Sequence, residues 1–417
     1  MQRQKTHGKK TRHTFLLGIS LLLVTSLVVG SLPKYAFAQA KTTINGAGAT
    51  FPYPLIDAWR IAYANENPDV NINYQSIGSG GGIKQFTEMT VDFGASDAPM
   101  TAAQRANLKG TAVHIPETIG SVVAVYNIPE VPNKGLKLTG PILADIFMGK
   151  ITKWNDAKIK ELNSDLSLPS RDITVVHRSD GSGTTFVWTS YLSKTSQEWS
   201  NSIGKGTSVQ WPTGIGSPGN EGVANSLKST PYTIGYVELA YALTTNMTYA
   251  FLQNHDGTSF IEPMLDSTRK AVEALATELP RGEESWENVS LLDAPGDDSY
   301  PIASFSYILL YKDLSTNPAI NDKGRAEALV KFVSWAVTSG QQYSEKLSYV
   351  PLPESVVEHN LETLRSLTYK NDSLDTAVVP EFPFMVAVVL AMSLVGVLAL
   401  FRLAPNNAGL GYNPNKL

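Results

Sequence analysis

Three stretches of this 417-residue chain place hydroxyls and glycines where a β-rich segment turns into a helix-like one. They are Thr43 to Phe51, carrying Gly46-Ala47-Gly48-Ala49-Thr50; Val70 to Ile83, carrying Ser79-Gly80-Gly81-Gly82; and Ile173 to Phe186, carrying Asp180-Gly181-Ser182-Gly183-Thr184. Such a turn presents the free backbone N–H groups of a helix N-terminus. The first four donors there lack intrahelical partners, and the dipole adds partial positive charge. A tetrahedral oxyanion needs donors converging from several directions, and these turns supply them without desolvating many full charges. Arg178, just ahead of the third turn, can add a bidentate, charge-assisted pair. The glycines of one such turn can serve tight backbone geometry alone. Three turns with an arginine point to a pocket for a small oxyanion.

The elements that must hold these turns read as alternating strands and helices. Leu55, Ile56, Trp59, Ile61, Ala62 and Tyr63 recur at helical spacing, and Asn67-Pro68 ends the run. Val70 to Tyr74 alternates as a strand, while Ile119 to Val125 and Ile173 to Val176 are β-branched runs that suit buried strands. Thr101-Ala102-Ala103-Gln104 is a capping box opening a further helix. Pro301 to Tyr311 reads as a late strand and Gly324 to Trp335 as an amphipathic helix. Strands alternating with helices indicate an α/β architecture. The length, with 42% hydrophobic and 17% charged residues, suits two domains, although periodicity alone places no boundary.

Composition removes several function classes. With no cysteine, the chain has no disulfide scaffold, thiolate metal site or cysteine nucleophile. The formal charge is −4, but residues 1–38 hold six basic and no acidic residues, so the remainder carries 28 Lys and Arg against 38 Asp and Glu. A body that acidic is not built for nucleic acid, and it must hold any anion through local dipoles and individual cations. His114, His177, His255 and His359 show no metal-ligand spacing, so no metal or other cofactor is expected. Both ends carry address information. Arg3, Lys5, Lys9, Lys10 and Arg12 precede the apolar run Phe15 to Leu32, and Ala36-Phe37-Ala38 is a small-x-small cleavage site, so residues 1–38 read as a secretory signal. Residues 384–401 are apolar without a charge, are followed by Arg402, and are long enough to span a bilayer. Pro380-Glu381-Phe382 ahead of them resembles a sorting signal of some archaeal surface proteins, in which the tail is exchanged for a lipid. On either route the body is tethered outside the cell. Sequons at Asn246, Asn288 and Asn371 fit a surface location.

Four motifs occur in one order: Gly46-Ala47-Gly48-Ala49-Thr50-Phe51-Pro52; Gly78-Ser79-Gly80-Gly81-Gly82; Val91-Asp92-Phe93-Gly94-Ala95-Ser96-Asp97-Ala98-Pro99; and Arg178-Ser179-Asp180-Gly181-Ser182-Gly183-Thr184. Together they closely resemble the phosphate-binding proteins of ABC-type phosphate importers. Ile146 to Ile151 with Trp154, Thr189 to Leu192, Trp211-Pro212 and Ile234 to Glu238 add to the match, which runs from about Thr42 to Leu367. The resemblance implies a two-lobed periplasmic-binding-protein-like α/β fold with the ligand cleft between the lobes. Residues 42–118 and 301–368 would form lobe I, 119–300 lobe II, and 369–383 a linker to the anchor at 384–401. It implies that Thr50 and Phe51 offer backbone N–H groups, Thr50 also its hydroxyl, and Ser79 both hydroxyl and N–H. Asp97, Arg178, Ser182, Gly183 and Thr184 would face the ligand, and Asp180 would brace Arg178 from behind. The implied partners are inorganic phosphate and the permease subunits of an importer, with the chain acting as a monomer. The sequence departs from the pattern at Gly80, where a second serine is common and its loss loosens the turn, and at His177, where a basic residue is common. The membrane tail is the larger departure, since a tether replaces confinement in a periplasm.

Asp97 looks out of place beside an anion. It becomes sensible if the ligand carries a proton, because a carboxylate then accepts that O–H. Phosphate is protonated near neutral pH and sulfate is not, so the residue would act as a filter, rejecting the analogue by about 10⁴–10⁵. Taken alone, Asp97 reads as a helix N-cap, and Arg178 with Asp180 as a surface ion pair of small worth. The rival class is a serine phosphohydrolase or esterase using Ser182 or Ser79. Neither serine lies in a Gly-x-Ser-x-Gly elbow, since Asp stands at 180 and Ile at 77, and no Gly-Lys-Ser/Thr follows the glycines. The sequence therefore favours a binding protein over an enzyme. A receptor for sulfate is the other alternative, and Asp97 weighs against it.

Overall fold

The computed structural model describes residues 41–273 and 279–378. The expected signal at 1–38 and anchor at 384–401 lie outside the described residues. No helix among the described residues is long and apolar enough to cross a membrane.

Nine strands form the main sheet. In chain order they are β1 (Thr42–Gly48), β2 (Val70–Ser76), β3 (Phe93–Ser96), β4 (Ala112–Asn127), β5 (Thr174–Arg178), β6 (Ile215–Ser217), β7 (Thr233–Glu238), β8 (Thr248–Tyr249) and β9 (Ala303–Tyr311). Their spatial order is β2-β1-β3-β9-β4-β7-β5-β6, with β8 paired to β4. The helices that matter for the site are α1 (Tyr53–Glu66), α2 (Ser79–Thr87), α3 (Gly183–Thr195), α4 (Gly219–Ser229) and α5 (Lys323–Val337).

The sheet has two halves that share β4. Residues Ala112 to Ser121 of β4 pair antiparallel with β9, whereas Val122 to Asn127 pair antiparallel with β7. On one side β1 runs parallel to β2 and β3; on the other β5 runs parallel to β6 and β7. All of β4 except Asn127 is buried, so its apolar stretch covers both faces, as a central strand flanked by helices requires. The chain crosses between the halves at β4 and again just before β9, where Val122 donates its N–H to the Ile302 carbonyl at 2.9 Å. This two-lobed α/β arrangement is the expected fold class. It leaves the C-terminal ends of β1, β2, β3 and β5 facing a common crevice, the place where open α/β sheets bind ligands.

The local expectations hold closely. α1 buries Leu55, Ile56, Trp59 and Tyr63 and ends against Asn67, ahead of Pro68. The capping box at Thr101 forms in full, with the Thr101 hydroxyl accepting from Gln104 N–H and the Gln104 side chain accepting from Thr101 N–H. α5 extends the amphipathic helix to residues 323–337 and starts on Asp322, whose carboxylate accepts from Arg325 N–H. Where the sequence suggests a linker from residue 369, Thr368–Tyr369 and Asp372–Ser373 instead form a small hairpin, and Leu374 and Ala377 are buried behind it. Polar composition concealed this piece because its few apolar residues are spaced by a turn rather than by strand or helix period.

Candidate functional site

Each predicted turn is a strand running into a helix N-terminus, and the structure brings three of them together. β1 ends at Gly48 and leads through Thr50 and Phe51 into α1; β2 leads into α2 at Ser79; β5 ends at Arg178 and leads into α3 at Gly183. Thr50, Phe51, Ser79, Asp97, Arg178, Ser182, Gly183 and Thr184 are all buried. An interior so rich in donors is costly to dry out unless something accepts from them.

The hydrogen bonds fix what each hydroxyl can do. Ser182 caps α3, its Oγ accepting from Thr185 N–H at 3.0 Å. The Ser79 Oγ accepts from Asp97 N–H at 3.1 Å. The Thr50 Oγ1 accepts twice from Asn220, from the side-chain Nδ2 at 2.8 Å and the backbone N at 3.2 Å. The Thr184 Oγ1 accepts from Asn220 Nδ2 at 3.1 Å and, weakly, from Arg178 Nη1 at 3.4 Å. Each of the four oxygens accepts at least one N–H, Thr50 and Thr184 two, and none of these bonds uses the hydroxyl hydrogen. Together with the free N–H groups of α2 and α3, they form a set of donors without matching acceptors, which is the inverse of a cation site.

One cation supports them. The Arg178 side chain is 1% exposed and its fork is held by Asp180, with Nε donating to Oδ1 at 2.8 Å and Nη2 to Oδ2 at 2.5 Å. Asp180 also accepts from Gly219 N–H at 3.0 Å. Burial works against the Asp180 charge, but these bonds and the guanidinium outweigh it and hold the carboxyl below its usual range. Nη1 remains turned toward Thr184 and the pocket. Asp180 thus holds the fork of a buried Arg178, which is not a pair on the open surface.

Asp97, at the end of β3, is the exception among the donors. Its Oδ1 accepts from the Ser306 hydroxyl at 2.9 Å, while Oδ2 is buried without a partner. Oδ2 points at the α3 N-terminus: a Cβ added to Gly183 would lie 2.4 Å from Oδ2 and 2.4 Å from the Ser79 Oγ. Gly183 is thus required by close approach across the crevice. Burial raises the Asp97 carboxyl to about 7, against the lowering effects of Ser306, Arg178 and Ser79. Asp97 is not the helix N-cap it would be in isolation; the following helix is capped by Thr101.

The departure at Gly80 has a structural reason. Gly80 N–H donates to the Gly181 carbonyl at 2.8 Å, and a Cβ on Gly80 would sit 3.0 Å from the Gly181 Cα. Two turns from opposite halves of the sheet meet there through bare backbone. The glycine tightens the seam rather than loosening the turn.

Sequence reasoning missed Asn220, Ser306 and Tyr241. Asn220 opens α4 and ties the Thr50 hydroxyl to the Thr184 hydroxyl across the crevice, while its Oδ1 accepts from Glu238 N–H at 3.1 Å. The Tyr241 hydroxyl donates to the Thr50 carbonyl at 2.6 Å. A signal for Asn220 existed, because Gly214-Ile215-Gly216-Ser217-Pro218-Gly219-Asn220 is a fourth strand–turn–helix passage of the same kind. The histidines serve elsewhere. The buried His114 accepts from Met100 N–H at 3.0 Å and is held down to about 4 mainly by burial; His177 stacks on Trp211; His255 pairs with Asp293. Among the described residues, no cluster could hold a metal ion.

Comparison with known proteins places this geometry in a family. Residues 34–339 match the family model described as a PBP superfamily domain. A phosphate-binding protein PstS of Pasteurella multocida is 45% identical over 329 residues, covering 78% of this chain and 90% of that protein. A PstS of Methanocaldococcus jannaschii is 36% identical over 386 residues, covering 87% of this chain and 98% of that protein. In structure, a phosphate-binding protein from Stenotrophomonas maltophilia superposes with a TM-score of 0.58 at 19% identity, covering 76% of this chain and 92% of its own. A human phosphate-binding apolipoprotein superposes with a TM-score of 0.60 at 20% identity, covering 81% and 98%. The fold, the ordered motifs and these matches agree: the chain belongs to the PstS phosphate-binding protein family of the PBP superfamily.

Proposed function

We propose that the chain is an extracytoplasmic receptor that encloses inorganic phosphate between its two lobes and delivers it to the permease subunits of an ABC-type importer. The observation that carries this reading is the unpartnered, buried Asp97 Oδ2 set among converging donors. Four hydroxyls, two helix N-termini and the Arg178 Nη1 suit the oxygens of a tetrahedral anion. One acceptor among them suits an anion that brings its own proton. The lobes run over 42–118 with 301–368 and over 119–300, a division supported by the change of β4 partner at Ser121 and Val122. The ligand-facing set is Thr50, Phe51, Ser79, Asp97, Arg178, Ser182, Gly183 and Thr184, with Asp180 behind Arg178 and Asn220 joining the two sides.

Ser182 and Ser79 act as donors in this account, not as nucleophiles. Their oxygens already accept N–H groups, and the histidines described above are engaged away from them. Ser182→Ala should weaken phosphate binding by about one to two decades, the worth of one hydrogen bond to a charged partner, and show no phosphoester turnover before or after the change. The cap it removes costs about 1 kcal/mol of stability as well. Steady hydrolysis by the parent protein, abolished in the variant, would establish the enzyme instead.

The body is tethered through the uncharged run at 384–401 and works as a monomer. Cell fractionation should find the intact chain with membranes, and truncation before Pro380 should release a folded, phosphate-competent body. Recovery of the intact chain wholly in the soluble fraction would refute the tether.

A further inference from the structure

Glu117 is a buried acid that makes no ion pair among the described residues. It lies on β4 at a β-bulge: Ser306 of β9 pairs with Thr118 and Tyr307 with Pro116, leaving Glu117 as the extra residue. A bulge re-aims a side chain and is common next to functional sites. Here it turns Glu117 toward the Ser306 hydroxyl, which lies 3.0 Å from Glu117 Oε1 and 2.9 Å from Asp97 Oδ1. Glu117 is fully buried, and its Oε2 has no partner.

A hydroxyl has one hydrogen, so Ser306 cannot donate to both carboxylates. If it gives its hydrogen to Asp97, the 3.0 Å contact to Glu117 is a bond only when Glu117 donates. The charged groups around the pair decide which acid keeps its proton. Arg178 acts on Asp97 and favours its ionised form, while Glu117 feels Asp97 as a like charge and Tyr74 faces both acids. Glu238, a third buried acid that acts on Asp97, is also pushed up by burial; its Oε2 accepts from Ala240 N–H at 2.8 Å and lies 3.1 Å from the Tyr349 hydroxyl, whose own hydrogen goes to the Phe51 carbonyl at 2.7 Å.

We propose that Glu117 is a protonated positioning residue: its carboxyl donates to Ser306, Ser306 donates to Asp97 Oδ1, and Oδ2 is left as the single acceptor for the proton of the bound oxyanion. The chain of bonds runs Glu117 O–H to Ser306 O–H to Asp97, with no net proton transfer. It fixes the Asp97 carboxylate in the rotation that faces the Gly183 N-terminus. The inference rests on the proposed role of Asp97, and it adds a requirement that Glu117 be neutral for that role to be filled. Burial pushes Glu117 up to about 8, and the like charge of Asp97 adds to the rise.

The test uses the full-length parent, Glu117→Gln and Glu117→Leu. Subtracting the Glu117→Gln infrared spectrum from the parent's at pH 6.5 should leave one protonated-carboxyl band, while the bands of Asp97 and Glu238, common to both proteins, cancel. Inorganic phosphate titrated from pH 6 to pH 9 should bind the parent less tightly at the alkaline end, by about tenfold relative to Glu117→Gln, because only the neutral fraction is competent. Glu117→Leu should lose about tenfold at all pH values, since it cannot donate to Ser306. No such band, or a Gln variant that tightens phosphate tenfold already at pH 6.5, would overturn the proposal by showing an ionised Glu117. Those results leave the Asp97 reading intact if sulfate is still rejected; sulfate accepted by the parent at alkaline pH would instead remove the Asp97 reading itself.

Discussion

Two aspartates flank Arg178, and their surroundings drive them in opposite directions. Asp180, at the rim, has a 22% exposed side chain, two bonds from the guanidinium and one from Gly219 N–H. Its charge is satisfied, and its carboxyl is held low. Asp97, on the floor, is sealed from water, receives one hydroxyl bond and keeps one oxygen bare, and its carboxyl is pushed up to about 7. The same residue type therefore serves two ends. At the rim, a paired carboxylate fixes a cation, which in the proposed function points at the ligand. On the floor, an oxygen stays unpaired, and the proposed function gives it the hydrogen of the bound anion. Desolvation without a full partner distinguishes the two, and it is the condition under which a buried group becomes selective rather than merely stabilising.

Removing the charge on each side should separate these roles. Asp97→Asn replaces the acceptor with a group that can also donate, so sulfate affinity at pH 8 should rise by about tenfold. That is the loss an Asp97 ionising near 7 imposes one pH unit above its midpoint. Phosphate binding should survive, and arsenate, also protonated, should continue to track phosphate. Competition of both anions against labelled phosphate measures this, and an unchanged sulfate affinity would remove Asp97 from discrimination. Asp180→Asn should act more weakly, with phosphate weakened by less than about tenfold, because losing the charge-assisted fork is partly offset by removing a negative group near the anion. The ratio of phosphate to sulfate should not move. A large change in that ratio would mean the rim aspartate touches the ligand.

The turns were legible in the sequence because their information is local. Glycine with Ser or Thr between a strand pattern and a helix pattern signals an N-terminus directly, and Ser79, Ser182, Gly183 and Thr184 sit where such signals end. The α1 stripe and the capping box at Thr101 were readable for the same reason. The brace on Arg178 spans two residues and was within reach. Ser306 and Glu117 were not legible, and Asn220 was marked only by its strand–turn–helix passage and not by its contacts, since each contributes through partners far along the chain. Asn220 meets Thr50 across 170 positions, and Ser306 meets Asp97 across 209. The bulge that aims Glu117 is set by pairing register between β4 and β9, which no periodicity within either strand records. The structure also changes the filter in degree. Burial lifts Asp97 to about 7, so the rejection of sulfate deepens with pH instead of standing at one value.

That dependence offers the most direct test of the central claim, through isothermal titration of the phosphate-stripped parent protein with phosphate and with sulfate at pH 6 and pH 8.5. Sulfate has no proton to give, so it can pair with Asp97 only when the carboxyl itself is protonated. Asp97 ordinarily ionises near pH 4, and burial moves the change to about 7, so the protonated form persists below that value and is lost as pH rises through it. Sulfate affinity should therefore fall about tenfold for each pH unit above 7, and at pH 8.5 sulfate heat should vanish while phosphate still binds. Sulfate binding at pH 8.5 as tightly as phosphate, with no loss from pH 6, would contradict the account.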